Sequence, residues 1–304
     1  MKKRFLLIFL LLISSKSIAC LNGETKALKN GIYVYEDYRG IVPKGHNFFK
    51  NNYPRLIKEL DSLYSATNDI DYLSDKGYVL VIQNKFKEAL EIYLKIEKLK
   101  PNRYSTASNI GTIYELLGDN VKALNWISKA VKINPNSHNG SEWLHVKILR
   151  AKISGSNYIN SNFLINTNFG EEYEPKNNMS HLERKALIKS LYYQLNERVS
   201  FIKTEDKIIG ILLFELGNLA FMEKKYDEAK EIYEKSREYG YKNQLIKLRI
   251  SSADWNSKES LYKNISNIKA INEYHKKLFV ITLIAAIIII VGLLIVIYRM
   301  KRKS

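Results

Sequence analysis

Apolar residues recur at intervals of three and four over most of the chain, the spacing that gathers side chains on one face of an α-helix. From Tyr53 to Tyr64 the stripe is Leu56, Ile57, Leu60, Leu63 and Tyr64. Further helical patterns follow in pairs, each pair divided by a short polar break: Gln83-Asn84-Lys85-Phe86, Gly118-Asp119-Asn120 and Glu223-Lys224-Lys225-Tyr226. After the polar stretch Ser137–Ser141 another helix carries Trp143, Leu144, Val146, Ile148 and Leu149. Residues 154–179 lose the period and are rich in Asn, Ser and Gly, so they predict a long loop with one short extended piece at Phe163–Ile165. Ser180-His181-Leu182-Glu183 has the form of a capping box, and opens a helix with Leu187, Leu191, Leu195, Val199 and Ile202 on one face. A helical pattern continues through Leu245, Ile246 and Ile250, Asp254-Trp255-Asn256 predicts a break, and residues 257–277 read as a more polar helical stalk. Residues 20–50 are the least helical part. There Asn30-Gly31 separates Thr25–Leu28 from Ile32–Tyr35 and predicts a hairpin with a type I′ turn.

Within the paired helices, Gly77 recurs as Gly111, Ala89 as Ala123 and Pro101 as Pro135, each 34 residues on. Small residues at two fixed phases suit helices that approach closely, and proline at the third stops the second helix of each pair. The first copy carries Leu73, Gly77, Ala89, Tyr93 and Pro101, and the second Gly111, Tyr114, Ala123, Ala130 and Pro135. A third, downstream, has Leu213, Gly217, Ala229 and Tyr233 but reaches Tyr241 where proline is expected. This period and these phases resemble the tetratricopeptide repeat (TPR) family. The resemblance implies an all-α, TPR-type helical-hairpin solenoid, here with a short N-terminal β-hairpin segment and one C-terminal transmembrane helix. In that family the first helix of each pair lines a groove that receives a protein or peptide. Carried over by position, the groove residues are Ser74, Tyr78 and Ile82, then Ser108, Asn109, Thr112 and Glu115, with Glu142 from the following helix. Of the clamp that one subfamily uses for C-terminal carboxylates, only Asn109 is matched.

The division that follows is a signal peptide at 1–19, a hairpin and loop segment at 20–50, and a helical repeat region at 51–153. That region holds repeats at about 70–103 and 104–137 and a cap helix. A loop at 154–179 and a second helical region at 180–256 follow, the latter with a repeat at 210–243. A stalk at 257–277, a membrane helix at 278–298 and a basic tail at 299–304 complete the chain. The signal reading rests on the basic start, the apolar run Phe5–Ile13 and the small-residue site Ser17-Ile18-Ala19. The single cysteine, Cys20, leaves three alternatives open: plain cleavage after Ala19, lipidation of Cys20, or an uncleaved signal anchor. Leu278–Tyr298 is 21 residues without a charge, about 31 Å of helix against a hydrocarbon core of about 30 Å. Arg299, Lys301, Arg302 and Lys303 follow it and predict a cytoplasmic tail. Residues 20–277 are then expected outside the cytoplasm, at the cell (inner) membrane.

Charge changes this picture little. The formal net charge is +17, and the eight cations at the two ends account for almost half of it, leaving +9 over residues 20–298. The remaining lysines alternate with Asp and Glu in no dense basic run, which argues against nucleic acid as a partner. One cysteine allows neither an intrachain disulfide nor a cysteine-based metal cluster. Phosphate-loop, nucleophile-elbow and His-Glu-x-x-His patterns do not occur. Glu142 and His145 share a helix face at a spacing some metal sites use, but without a second such pair. The expectation is a non-catalytic scaffold without cofactor, holding a protein partner in its groove, with a sensor that signals through the membrane helix as the alternative. The oligomeric state stays open.

Overall fold

The computed structural model describes residues 25–301, and the signal segment, Cys20 and the last three residues of the tail lie outside that range. The chain divides into two units, one through Ile250 and one from Ser251 onward.

The first unit opens with a three-stranded antiparallel sheet, β1 (Thr25–Ala27), β2 (Tyr33–Asp37) and β3 (His46–Phe48), in the order β1-β2-β3. The hairpin is where the pattern placed it, but its turn is not type I′. Gly31 N–H donates to the Leu28 carbonyl at 2.9 Å and Leu28 N–H to the Ile32 carbonyl at 2.8 Å. Gly31 (φ +86°) is left-handed and Asn30 is not among the positive-φ residues. A type I′ turn needs two such residues, whereas a three-residue loop closed by a left-handed glycine needs one. Strand β3, in a stretch read as loop, pairs Phe48 with Tyr35 and His46 with Asp37.

Helix α1 (Tyr53–Thr67) precedes two hairpins, α2 (Ile70–Ile82) with α3 (Phe86–Leu99) and α4 (Tyr104–Leu116) with α5 (Asn120–Ile133). A third is formed by α9 (Lys207–Met222) and α10 (Tyr226–Glu238). The glycine phase has one steric cause in all three. A Cβ on Gly77 would lie 2.8 Å from the Tyr93 ring, on Gly111 2.6 Å from Ile127, and on Gly217 2.5 Å from the Tyr233 ring. Each partner stands 16 residues later, on the second helix of its own pair, and is fully buried, as are Ala89, Ala123 and Ala229. The three turns also share a backbone. Asn84, Gly118 and Lys224 are left-handed, and the residue after each donates its N–H to the carbonyl five back: Lys85 to Leu80, Asp119 to Tyr114, Lys225 to Ala220. This is the Schellman form of helix ending. The third hairpin ends in the same way at Gly240, with Tyr241 N–H on the Ser236 carbonyl at 3.1 Å, where Pro101 and Pro135 stop the other two.

Helix α6 (Glu142–Ser154) packs against α5, burying Leu144, Ile148 and Leu149. The expected extended piece is instead a short helix, α7 (Ser161–Ile165), capped by Asn160, whose side chain accepts from Phe163 N–H. Helix α8 (His181–Phe201) starts with the capping box, Ser180 and Glu183 each bonding the other's backbone.

Helix α11 (Leu245–Lys301) runs unbroken through Asp254-Trp255-Asn256. The polar side chains expected to end it serve it from within: Asp254 pairs with Lys258 at 2.6 Å, and Asn256 donates to the Ser252 carbonyl at 3.0 Å. Its distal part is long and apolar enough to cross a membrane, and among the described residues none of its most apolar window is buried.

Candidate functional site

The residues expected to line an open groove are brought together on one face of the hairpins, but that face is closed. Ser74, Tyr78, Ser108, Asn109, Thr112, Glu115 and Glu142 are all buried, and Ile82 is half-buried. Their expected exposure is therefore corrected. The reason is that the chain supplies its own cover: α8 meets α4 through Arg198 and Glu115, and the N-terminal sheet meets α2, with the Tyr35 ring 6.2 Å from that of Tyr78.

Several contacts join α8 to β3 and to the start of α6. Gly45 N–H donates to Asn196 Oδ1 and His46 N–H to Ser200 Oγ, both at 2.8 Å. Gln194 Nε2 donates to Ser141 Oγ at 3.2 Å. The Phe48 and Phe201 rings lie 5.8 Å apart. The approach is close enough that a Cβ on Gly45 would stand 3.2 Å from the Ser200 backbone. Leu191, Leu195 and Val199 bury the apolar stripe of α8, while Gln194, Asn196, Glu197 and Arg198 are buried as well. That second, polar face leaves no mark in the spacing of apolar residues, which is why α8 reads as an ordinary amphipathic helix.

The polar groups form two linked ionic clusters. Glu115 accepts from His145 Nε2 at 2.7 Å, Lys152 Nζ at 2.8 Å and Arg198 Nη2 at 3.0 Å. Burial works against its charge, yet Arg198, Lys152 and His145 outweigh it and hold the carboxyl well below its ordinary range. Glu142 lies against His138 Nδ1 at 2.6 Å, His145 Nδ1 at 3.4 Å and the Tyr104 hydroxyl at 2.9 Å. Its carboxyl too is held low against burial by the two imidazoles. His145, between two carboxylates, is raised although burial and Arg198 oppose its charge.

The second cluster joins the sheet to α8. His46 Nδ1 meets Asp37 at 2.6 Å and Nε2 meets Glu197 at 3.1 Å, with the Tyr35 ring stacked on the imidazole at 4.0 Å. Burial opposes the imidazolium, but the two carboxylates prevail and raise His46 to about 9. Glu197, fully buried, is pushed up by burial despite His46. Its Oε1 and the Arg198 Nε have no hydrogen-bond partner among the described residues. Both residues line a cavity of about 10 Å³ with Glu115 and His145, near the room one water needs.

Sequence reasoning singled out Glu115 and Glu142 but missed the pairs His46–Glu197 and Glu115–Arg198, which are 151 and 83 residues apart in the chain. Among the described residues no group of three or more His, Cys, Asp or Glu side chains is placed to hold a metal ion. Glu142 and His145 instead spend their polar atoms on each other and on His138 and Glu115. Chemically, such an arrangement fixes the register of α4, α6, α8 and β3, since each buried charge has an opposite charge within 4 Å.

A similar knot closes the third hairpin. Glu215 accepts from Ser161 and, at 2.9 Å, from Asn218, to which Tyr233 also donates at 2.8 Å. Arg249, with no exposed surface, donates to the carbonyls of Phe169 and Gly170 at 3.1 and 2.8 Å. Residues 161–170 are thereby tied down, although their sequence reads as loop.

Residues 105–137, the hairpin α4–α5, match the family model described as Tetratricopeptide repeat. No curated protein matches the chain. Among solved structures, a tetratricopeptide repeat protein from Parabacteroides merdae is similar, with 14% identity over 66% of this chain and 98% of its own, at a TM-score of 0.31. By its own elements the chain is an all-α protein of repeated helical hairpins, one of which matches the tetratricopeptide repeat model.

Proposed function

We propose that this protein is a non-catalytic scaffold that holds a protein partner on the outer side of the cell membrane, anchored by the distal part of α11. The observation that carries the reading is the combination of helical hairpins, one of which matches a protein-binding repeat, with a helix long and apolar enough to cross a membrane. The strip closed by α8 serves as internal mortar, and the partner is read on the outward faces of the hairpins. A partner that needs the strip itself must first displace α8 and open its buried charges. The orientation follows from the basic residues after Tyr298.

Protease treatment of intact spheroplasts tests the placement. The hairpin unit is expected to be degraded from outside while a tag fused after Ser304 survives, and protection of the hairpins would reverse the topology. Crosslinking in the membrane followed by mass spectrometry is expected to recover one recurrent protein whose contacts map to exposed helix faces. Recovery of none in repeated captures would remove the scaffold reading.

The unbroken course of α11 favours one second reading. A helix without a hinge can transmit a shift along its axis, so a sensor that signals to a separate cytoplasmic protein is the alternative. Replacing Leu278–Tyr298 with an unrelated apolar helix separates the two, because a tether tolerates the exchange and a transmitter does not.

A further inference from the structure

We propose that α11 pairs with α11 of a second copy of this chain, parallel and in register, along a seam that begins at Leu261 and continues into the apolar run. The proposal rests on the reading that this run is anchored in a bilayer.

Three observations within the second unit carry it. First, Leu261, Asn264, Ile268, Ile271, His275 and Leu278 alternate in steps of three and four, which is the seven-residue spacing of a two-helix seam. The four apolar members are 44–58% exposed, and a stripe of this kind in water needs a cover. Second, charge is kept away from the stripe. Lys263, Lys269, Glu273, Lys276 and Lys277 all fall on the remaining positions, and the flanking ones carry Ser260, Ile265, Asn267, Asn272 and Tyr274. The outward charges are met within the helix, Lys263 by Glu259 at 2.7 Å and Lys276 by Glu273 at 3.0 Å. Third, the same spacing extended past Leu278 reaches Thr282, Ala285, Ile289 and Gly292. The run 278–298 contains only four residues that are small or bear an aliphatic hydroxyl, Thr282, Ala285, Ala286 and Gly292, and three of them lie on the seam. Among the described residues, nothing outside its own helical turn comes within 4 Å of a Cβ built on Gly292. In a bilayer, helices associate through such small residues because they let backbones approach.

The occupant follows from the geometry. Because α11 has no break at the start of the apolar run, the stalk continues the spanning helix away from the bilayer, about 25 Å from Leu261 to Leu278, and lipid cannot cover it along its length. Two copies anchored in one membrane stand at the same height and point the same way, so each seam position meets its own counterpart. Two and a half heptads are short for association in free solution, but a shared membrane raises the effective concentration of one helix near another.

Single cysteines in the full-length chain, oxidised in native membranes, test this. Ile268→Cys and Ile271→Cys sit on the seam, Ser266→Cys and Ala270→Cys off it, and the parent chain with Cys20 alone sets the baseline. The expected result is several-fold more disulfide-linked dimer at 268 and 271 than at 266 and 270. Equal yields at all four, or none above baseline, overturn the pairing if the protein stays in the carbonate-washed membrane pellet. Quenching of a fluorophore on Ile268→Cys by a quencher in the lipid also overturns it, because the stripe would then lie on the bilayer. Loss of the protein from the pellet overturns the anchoring reading instead, and the pairing with it.

Discussion

At the scale of single residues, the repeat is written in steric terms. Gly77, Gly111 and Gly217 were legible because only a missing side chain lets a tyrosine or isoleucine 16 residues later close the hairpin. Gly217→Ala is expected to destabilise the hairpin unit by about 1–3 kcal/mol, the usual range for overpacking a filled core, since its Cβ would enter the Tyr233 ring. Gly118→Ala meets no neighbour but sits at φ +85°, so it should cost only about 1–2 kcal/mol of backbone strain. At the equivalent turn, Lys224 already bears that strain (φ +59°). Lys224→Gly is therefore expected to raise stability by about 0.5–1 kcal/mol. Thermal melts of the three variants in one detergent rank the effects, and a Gly217→Ala melt equal to wild type would contradict the packing account. The buried histidines were illegible at this scale, because what makes His46 special is Asp37 across the sheet and Glu197 far along the chain.

The elements inherit that difference between local and distant causes. The capping box of α8 is local, and its start was read from four residues. The burial of its polar face is not local, for it depends on α4, α6 and β3 arriving on the same side. Removing the shared anion of this clasp leaves Arg198 buried without an opposite charge. Glu115→Gln strips Arg198 and Lys152 of their anion and His145 of one of its two, and should cost about 3–5 kcal/mol, measured by denaturant unfolding. The clasp also predicts a pH profile. His46 is raised from 6.5 to about 9, so its stabilising charge is fully present below pH 6.5 and is lost as pH rises through 9. That amounts to about 3 kcal/mol. The melting temperature is expected to fall between pH 7 and pH 9.5, and His46→Gln should flatten this decline. Glu115 and Glu142 act at the other end. Both are held below their ordinary 4.5, so their contribution is present above that value and fades as pH drops beneath it. The type I′ turn and the break at residues 254–256 were misread for a related reason: side-chain type names a tendency, but one extra loop residue or an i, i+4 partner decides the outcome.

Over the whole molecule, periodicity carried most of the fold. Three helical hairpins, the long α8 and the apolar end of α11 follow from spacing alone, while β3, α7 and the closure of the expected groove do not. A solenoid read from its repeats is assumed to present its inner face, yet here a helix from between the second and third hairpins lies against it, which is why the proposed partner is placed on the faces that remain outside. Hydrogen–deuterium exchange of the full-length protein in a lipid nanodisc tests this closure most directly. Amides of residues 187–201 are expected to exchange as slowly as those of α4, whereas fast exchange across α8 beside a protected α4 would show the strip to be open and contradict the account.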